Sequence, residues 1–120
     1  METHRISEYS QGFVPAYVAN GVIGLRPDAL AAGGFCTVNG YAGAHPQLGV
    51  ESWLYAPYPL AWDIEVDGQW LSEARDQAHL LEQRYDFSSG ELCTEIAFRD
   101  IRVTHTQFCP RSLPFGAVCR

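Results

Sequence analysis

From Gln83 to Phe108 the chain alternates at period two, and turn residues cut it at intervals of about ten residues. Gln83, Tyr85 and Phe87 point one way, and Arg84 and Asp86 the other. Ser88-Ser89-Gly90 supplies a hairpin loop. Leu92, Thr94, Ile96 and Phe98 then share one face of a second strand. Arg99-Asp100 turns again, and Val103, His105 and Gln107 alternate with charged or hydroxyl residues in a third. Strands spaced this way form an antiparallel meander, and its apolar face has to be buried under a second layer. The expected fold class is therefore all-β and antiparallel.

The upstream half supplies candidates for the second layer. Phe13 to Val18 is a short apolar run, and Asn20-Gly21 is a turn pair. Val22 to Arg26 reads as a strand in which Gly24 permits a bulge or a close approach. Ala29 to Ala32 reads as one helical turn stopped by Gly33-Gly34. Phe35 to Val38 is a further strand, closed by Asn39-Gly40. Residues 41–51 then form the longest irregular stretch, the expected functional loop of this half. Two prolines make Trp53 to Leu60 an edge or crossing segment. Asp67-Gly68 between Ala61–Val66 and Gln69–Leu71 is a strong hairpin signal, with Trp62 and Trp70 expected to pack as a pair across it. Over residues 72–84 the spacing of Leu71, Ala74, Ala78 and Leu81 favours a helix. Gly116 to Cys119 begins another strand.

At 120 residues the chain is one domain, 1–120. It carries 14 acidic and 8 basic residues, net −6, with no lysine and no basic run. Nucleic acid and anionic membranes are not expected partners, because phosphate binding needs clustered cations. The N-terminus lacks the apolar core of a signal peptide, and no apolar run is long enough to span a bilayer. Cys36, Cys93, Cys109 and Cys119 show no metal-ligand spacing, so no metal or cofactor is expected, and they read as reduced thiols of a cytoplasmic protein.

Candidate chemistry is sparse. His45, His79 and His105, with Glu91 and Glu95, offer acid–base groups, as in sandwiches of the galactose mutarotase type. No spacing ties any histidine to a glutamate, however, and unrelated histidines are the simpler expectation. Asn20 to Gly24 lacks the glycine spacing and the lysine of a phosphate loop. Aromatic rings stack on the C–H faces of sugars. Trp53, beside the long loop, with Tyr55 and with His45 of that loop, is the expected contact for carbohydrate or for a second domain.

Several segments occur in an order that carries a family likeness: Asn-Gly-x-x-Gly-Leu-Arg at 20–26, Val38-Asn39-Gly40, Pro57 to Leu60, Asp67-Gly68, Arg84-x-Asp86 with Gly90-Glu91-Leu92, and Phe108-x-x-Arg111 before Pro114. Together they resemble the N-terminal β-sandwich of glycoside hydrolase family 65, which holds disaccharide phosphorylases and related glucosidases. Tyr85 departs from the aliphatic residue common there. The resemblance implies an all-β, antiparallel β-sandwich of the galactose mutarotase-like, super-sandwich type, of which this chain would be an incomplete portion. It implies a loop running into a strand from about His79, in place of the helix that periodicity favours. In such proteins the sandwich packs on an (α/α)6 barrel and often shapes dimer contacts. The catalytic residues belong to that barrel, so none carries over to a position here. The implied function is a non-catalytic part of an enzyme that hydrolyses or phosphorolyses α-glucosidic bonds. Its partners would be an α-glucoside or disaccharide, reached through the barrel, and a second copy in a homodimer. The alternatives are a stand-alone carbohydrate-binding or protein-interaction sandwich and a small mutarotase-like enzyme.

Overall fold

A computed structural model describes residues 3–7 and 16–120. The elements in chain order are β1 (Thr3–Ile6), β2 (Val18–Ala19), β3 (Ile23–Pro27), β4 (Gly34–Ala44), β5 (Glu51–Ala56), β6 (Glu65–Val66), β7 (Gln69–Trp70), a 3-10 turn (Arg75–Gln77), β8 (Ala78–Asp86), β9 (Glu91–Phe98), β10 (Ile101–Phe108) and β11 (Val118–Cys119). They form a five-stranded sheet, β1-β8-β9-β10-β11, a four-stranded sheet, β2-β3-β4-β5, and the small β6-β7 hairpin. Every pairing is antiparallel. The chain is all-β, and among the described residues no helix is long and apolar enough to cross a membrane.

The meander β8-β9-β10 forms as its alternation requires. Leu92, Thr94, Ile96 and Phe98 are all buried on the inward face of β9, and His105 and Gln107 are buried beside them on β10. This face serves two apolar clusters. At one end Leu92 meets Val18, Ile23, Leu25 and Cys36 of the four-stranded sheet. At the other, Ile96 and Phe98 meet Leu30, Ala32, Leu71 and Ala74 from the loops, with Trp62 and Ile64 packed against them. A polar row lies between the clusters. Register aligns Gln83, Thr94 and His105 across three strands, and Gln83 Nε2 donates to Thr94 Oγ1 at 3.1 Å.

The turns have local causes. Asn20 Oδ1 accepts the N–H groups of Val22 and Ile23, both at 3.0 Å. Its Nδ2 donates to the carbonyls of Pro110, Leu113 and Pro114 at 3.0–3.2 Å, tying the start of β3 to the segment before β11. Asp86 Oδ1 accepts from Ser88 N and Ser88 Oγ at 2.8 and 2.6 Å, which closes the β8-β9 hairpin as an Asx turn.

Four expectations are corrected. Ala29–Ala32 is not a helical turn: Asp28 Oδ1 takes the N–H groups of Leu30 and Ala32 at 3.1 Å, and Ala31 sits at φ 56°, which a right-handed helix excludes. The strand from Phe35 does not close at Asn39-Gly40 but continues to Ala44. The pairing with β5 shifts register between Asn39 and Ala44, and Gly40 and Gly43 at positive φ accommodate the bulge. The loop expected over 41–51 therefore shrinks to the turn between Ala44 and Glu51. Trp62 and Trp70 are not a cross-hairpin pair, because Trp70 faces Glu65 in the register and Trp62 donates from its indole to the Ala31 carbonyl at 2.8 Å. Over 72–84 the reading from the resemblance, preferred to the helix, holds: a short 3-10 turn runs into β8 at Ala78, one residue from the implied strand start. The apolar run from Phe13 lies outside the described residues as far as Pro15.

Phe98 is fully buried at the inner end of β9. Phe98→Ala is expected to lower stability by about 3–5 kcal/mol, read as a shift in the urea unfolding midpoint at unchanged slope.

Candidate functional site

The outer face of the four-stranded sheet is built by simple alternation. On β3, Ile23 and Leu25 turn into the core, so Gly24 and Arg26 face out. The register then places Thr37 beside Gly24, Phe35 beside Arg26, Tyr55 beside Thr37 and Trp53 beside Asn39. Tyr17, just before β2, lies over Gly24, where a side-chain carbon would overlap its phenol. The Tyr17 and Thr37 hydroxyls are 2.9 Å apart. Gly24 thus leaves room for the Tyr17 phenol, and a side chain at this position on the same extended backbone would have to displace that ring.

These seven residues, Tyr17, Arg26, Phe35, Thr37, Asn39, Trp53 and Tyr55, line a groove of about 450 Å3. Its aromatic rings are unusually open for their size: Tyr55 is 71 % exposed, Phe35 57 %, Trp53 55 % and Tyr17 50 %. Trp53 and Tyr55 meet edge to face with centroids 4.9 Å apart, and the Arg26 guanidinium lies over Phe35 at 5.0 Å. The arrangement offers flat apolar faces ringed by hydroxyl, amide and guanidinium groups. Among the described residues no carboxylate or imidazole lines the groove, and the groups that do line it are suited to stacking and hydrogen bonding.

Of the expected site residues, Trp53 and Tyr55 are brought together here. His45 is not among the groove's lining residues. It sits at the β4-β5 turn, where its Nδ1 accepts the N–H groups of Gln47 and Leu48 at 3.2 Å, and its role is that of a turn cap. Tyr17, Arg26, Phe35, Thr37 and Asn39 were not singled out from the sequence. The signal was present in the alternation of Phe35, Thr37 and Asn39, but it was hidden by ending that strand at Val38.

No family model, curated protein or solved structure matches this chain.

The acid–base candidates are dispersed. Glu91 pairs with Arg120 at 2.9 Å and Glu95 with Arg102 at 3.6 Å. His79 is exposed on β8. His105 is buried, its ring 5.8 Å from that of Trp62, and neither ring nitrogen has a hydrogen-bonding partner. Nearby, Tyr58 donates to Gln107 Oε1 at 2.6 Å, and burial pushes its phenol up to about 12. Cys36 and Cys109 are also raised by burial, Cys109 to about 11, which leaves both as unreactive thiols. Among the described residues no group of three or more His, Cys, Asp or Glu is placed to hold a metal ion.

Burial lowers the pKa of His105. The folded chain therefore holds it neutral while the unfolded chain protonates it first, near the ordinary histidine value of about 6.5. Stability is expected to be full above that pH and to fall as pH drops through it toward the depressed folded value. Urea midpoints measured between pH 8 and 5 should decline for the natural chain and stay flatter for His105→Phe. The carboxylates Asp63 and Asp86 are lowered by their serine hydrogen bonds, and they titrate below this window.

Proposed function

We propose that this chain is a non-catalytic, carbohydrate-contacting β-sandwich belonging to an enzyme that acts on α-glucosidic bonds, with the outer face of β3-β4-β5 as its sugar platform. The observation that carries the reading is the open groove in which Trp53, Tyr55, Phe35 and Tyr17 surround Arg26, Thr37 and Asn39. Stacking on exposed rings, with a few convergent polar groups, is the means by which a protein holds a sugar.

The resemblance to glycoside hydrolase family 65 supplies the substrate class, an α-glucoside or disaccharide. It is supported by the tasks its motif residues perform. Asn20 fastens two turns together, Gly24 seats Tyr17 and Asp86 closes a hairpin. These are framework tasks, as expected of a sandwich that accompanies a catalytic barrel. The super-sandwich assignment belongs to the same reading, as does a cytoplasmic setting, which suits four cysteines that are free thiols.

One observation favours a further role as an interdomain or dimer surface. On β5, Leu54 is 41 % exposed, and Phe115 nearby is 67 % exposed; both line an apolar depression with Val38, Ala56, Pro57 and Tyr55, which it shares with the groove.

The test is titration of the chain with maltose, kojibiose and trehalose, followed by calorimetry and tryptophan fluorescence. At least one disaccharide is expected to bind. Trp53→Ala and Tyr55→Ala should each weaken it about tenfold, ~1.4 kcal/mol, without changing the unfolding midpoint, because both rings are exposed. Absence of binding, or binding indifferent to both substitutions, overturns the platform.

A further inference from the structure

The groove on the outer sheet is not isolated. Tyr17 forms one wall of it and also one wall of a second depression of about 360 Å3, lined by His4, Ala16, Tyr85 and Phe87. This second depression is framed by both sheets: His4 and Tyr85 are register partners on β1 and β8, whereas Tyr17 and Ala16 lead into β2. Its main aromatic feature resembles that of the platform, for Tyr85 and Phe87 meet edge to face with centroids 5.0 Å apart, and Phe87 is 61 % exposed. Tyr85 and Phe87 in turn wall a third depression of about 510 Å3, which reaches Ser88, Ser89 and Arg111.

Resting on the carbohydrate reading above, we propose that these depressions form one track, that Tyr85 and Phe87 make a second sugar subsite, and that the ligand is a linear gluco-oligosaccharide longer than a disaccharide. Each of the first two depressions is at the small end of the range for small-molecule sites. Joined through Tyr17 they provide room for a longer ligand and a second aromatic face. Tyr17 is held as the divider between them, since its ring is seated on Gly24 and its hydroxyl is engaged by Thr37. Hydroxyl and guanidinium groups at the Ser88-Arg111 end continue the pattern of rings followed by polar partners. A sugar chain presents the matching sequence, C–H faces flanked by hydroxyls at each unit. An extended peptide would instead seek an open sheet edge for its backbone, and the track crosses the outer face of one sheet and the rim between the two.

The experiment compares maltose with maltotetraose, by calorimetry and by amide chemical-shift mapping, on the natural chain, Phe87→Ala and Trp53→Ala. Maltotetraose is expected to bind the natural chain at least tenfold more tightly than maltose, and it alone should shift the amides of Tyr85 and Phe87. Phe87→Ala should remove that advantage and leave maltose affinity unchanged; the ring lies beyond the end of β8 and is exposed, so the fold should be retained, which circular dichroism checks. Trp53→Ala should weaken both ligands. Equal affinity for the two sugars in the natural chain, or a length advantage that survives Phe87→Ala, overturns the second subsite while leaving the platform standing. Loss of neither ligand on Trp53→Ala overturns the platform and the track together.

Discussion

The inward row of β9 is the contact on which the rest of the structure depends. Leu92, Thr94, Ile96 and Phe98 lie on one face of one strand, and each end of the row belongs to a different apolar cluster. Leu92 holds the four-stranded sheet in place, and Ile96 with Phe98 holds the loops around Leu30 and Leu71. Burial of side chains of this size contributes roughly 1.5–3 kcal/mol each, so this row supplies much of what joins the layers. The four-stranded sheet can present a flat outer face because its inner face is spent on this contact. Alternation along β3 makes the two consequences inseparable: if Ile23 and Leu25 point in, Gly24 and Arg26 must point out.

The same dependence explains which parts were legible in the sequence. Strict period-two alternation with turn residues between the runs identifies β8, β9 and β10, because a helix would scatter those side chains over all its faces. Asp67-Gly68 and Asn20-Gly21 were equally plain, since few residues accept the backbone angles such turns need. That Trp53 and Tyr55 stay at the surface was readable because an aromatic edge segment broken by prolines has little core to enter. The misreadings arose where a local cue was overruled by pairing. Asn39-Gly40 is a turn signal in isolation, but β5 supplies partners beyond it and the strand absorbs Gly40 as a bulge. Ala29 to Ala32 has helical residues, but Asp28 captures their N–H groups first. His45 was read by its chemistry, whereas its geometry makes it a cap. Arg26 and Phe35 could not be joined without the register, which no linear pattern displays.

The interior carries a cost that the sequence did not announce. Gln83, Thr94 and His105 form a polar row between two apolar clusters, and the nitrogens of His105 and the amide nitrogen of Gln107 are buried with no hydrogen-bonding partner among the described residues. An unsatisfied buried polar group costs about 1–3 kcal/mol, so His105 and Gln107 offset part of what the apolar burial beside them contributes. The two apolar clusters are therefore best regarded as separate anchors, one for the outer sheet and its groove, the other for the loops.

The treatment of the arginines bears on what the groove is suited to hold. Arg75, Arg84, Arg102 and Arg120 each pair with a carboxylate at 2.8–3.6 Å, and Arg99 donates to Gln69 at 2.6 Å. Exposed pairs of this kind contribute little to stability, but they show that carboxylates are available in a chain of net charge −6. Among the described residues Arg26 pairs with none of them and lies over the Phe35 ring instead. A guanidinium held over a ring by cation–π attraction still has N–H groups to donate. Beside Thr37, Asn39 and the Tyr17 hydroxyl, they extend a row of hydrogen-bonding groups along flat apolar faces. The overall negative charge disfavours an anionic ligand at long range, while the local pattern suits a neutral, hydroxyl-rich one. Exposed rings around a guanidinium, with hydroxyl and amide groups beside them, are what the proposed carbohydrate platform calls for.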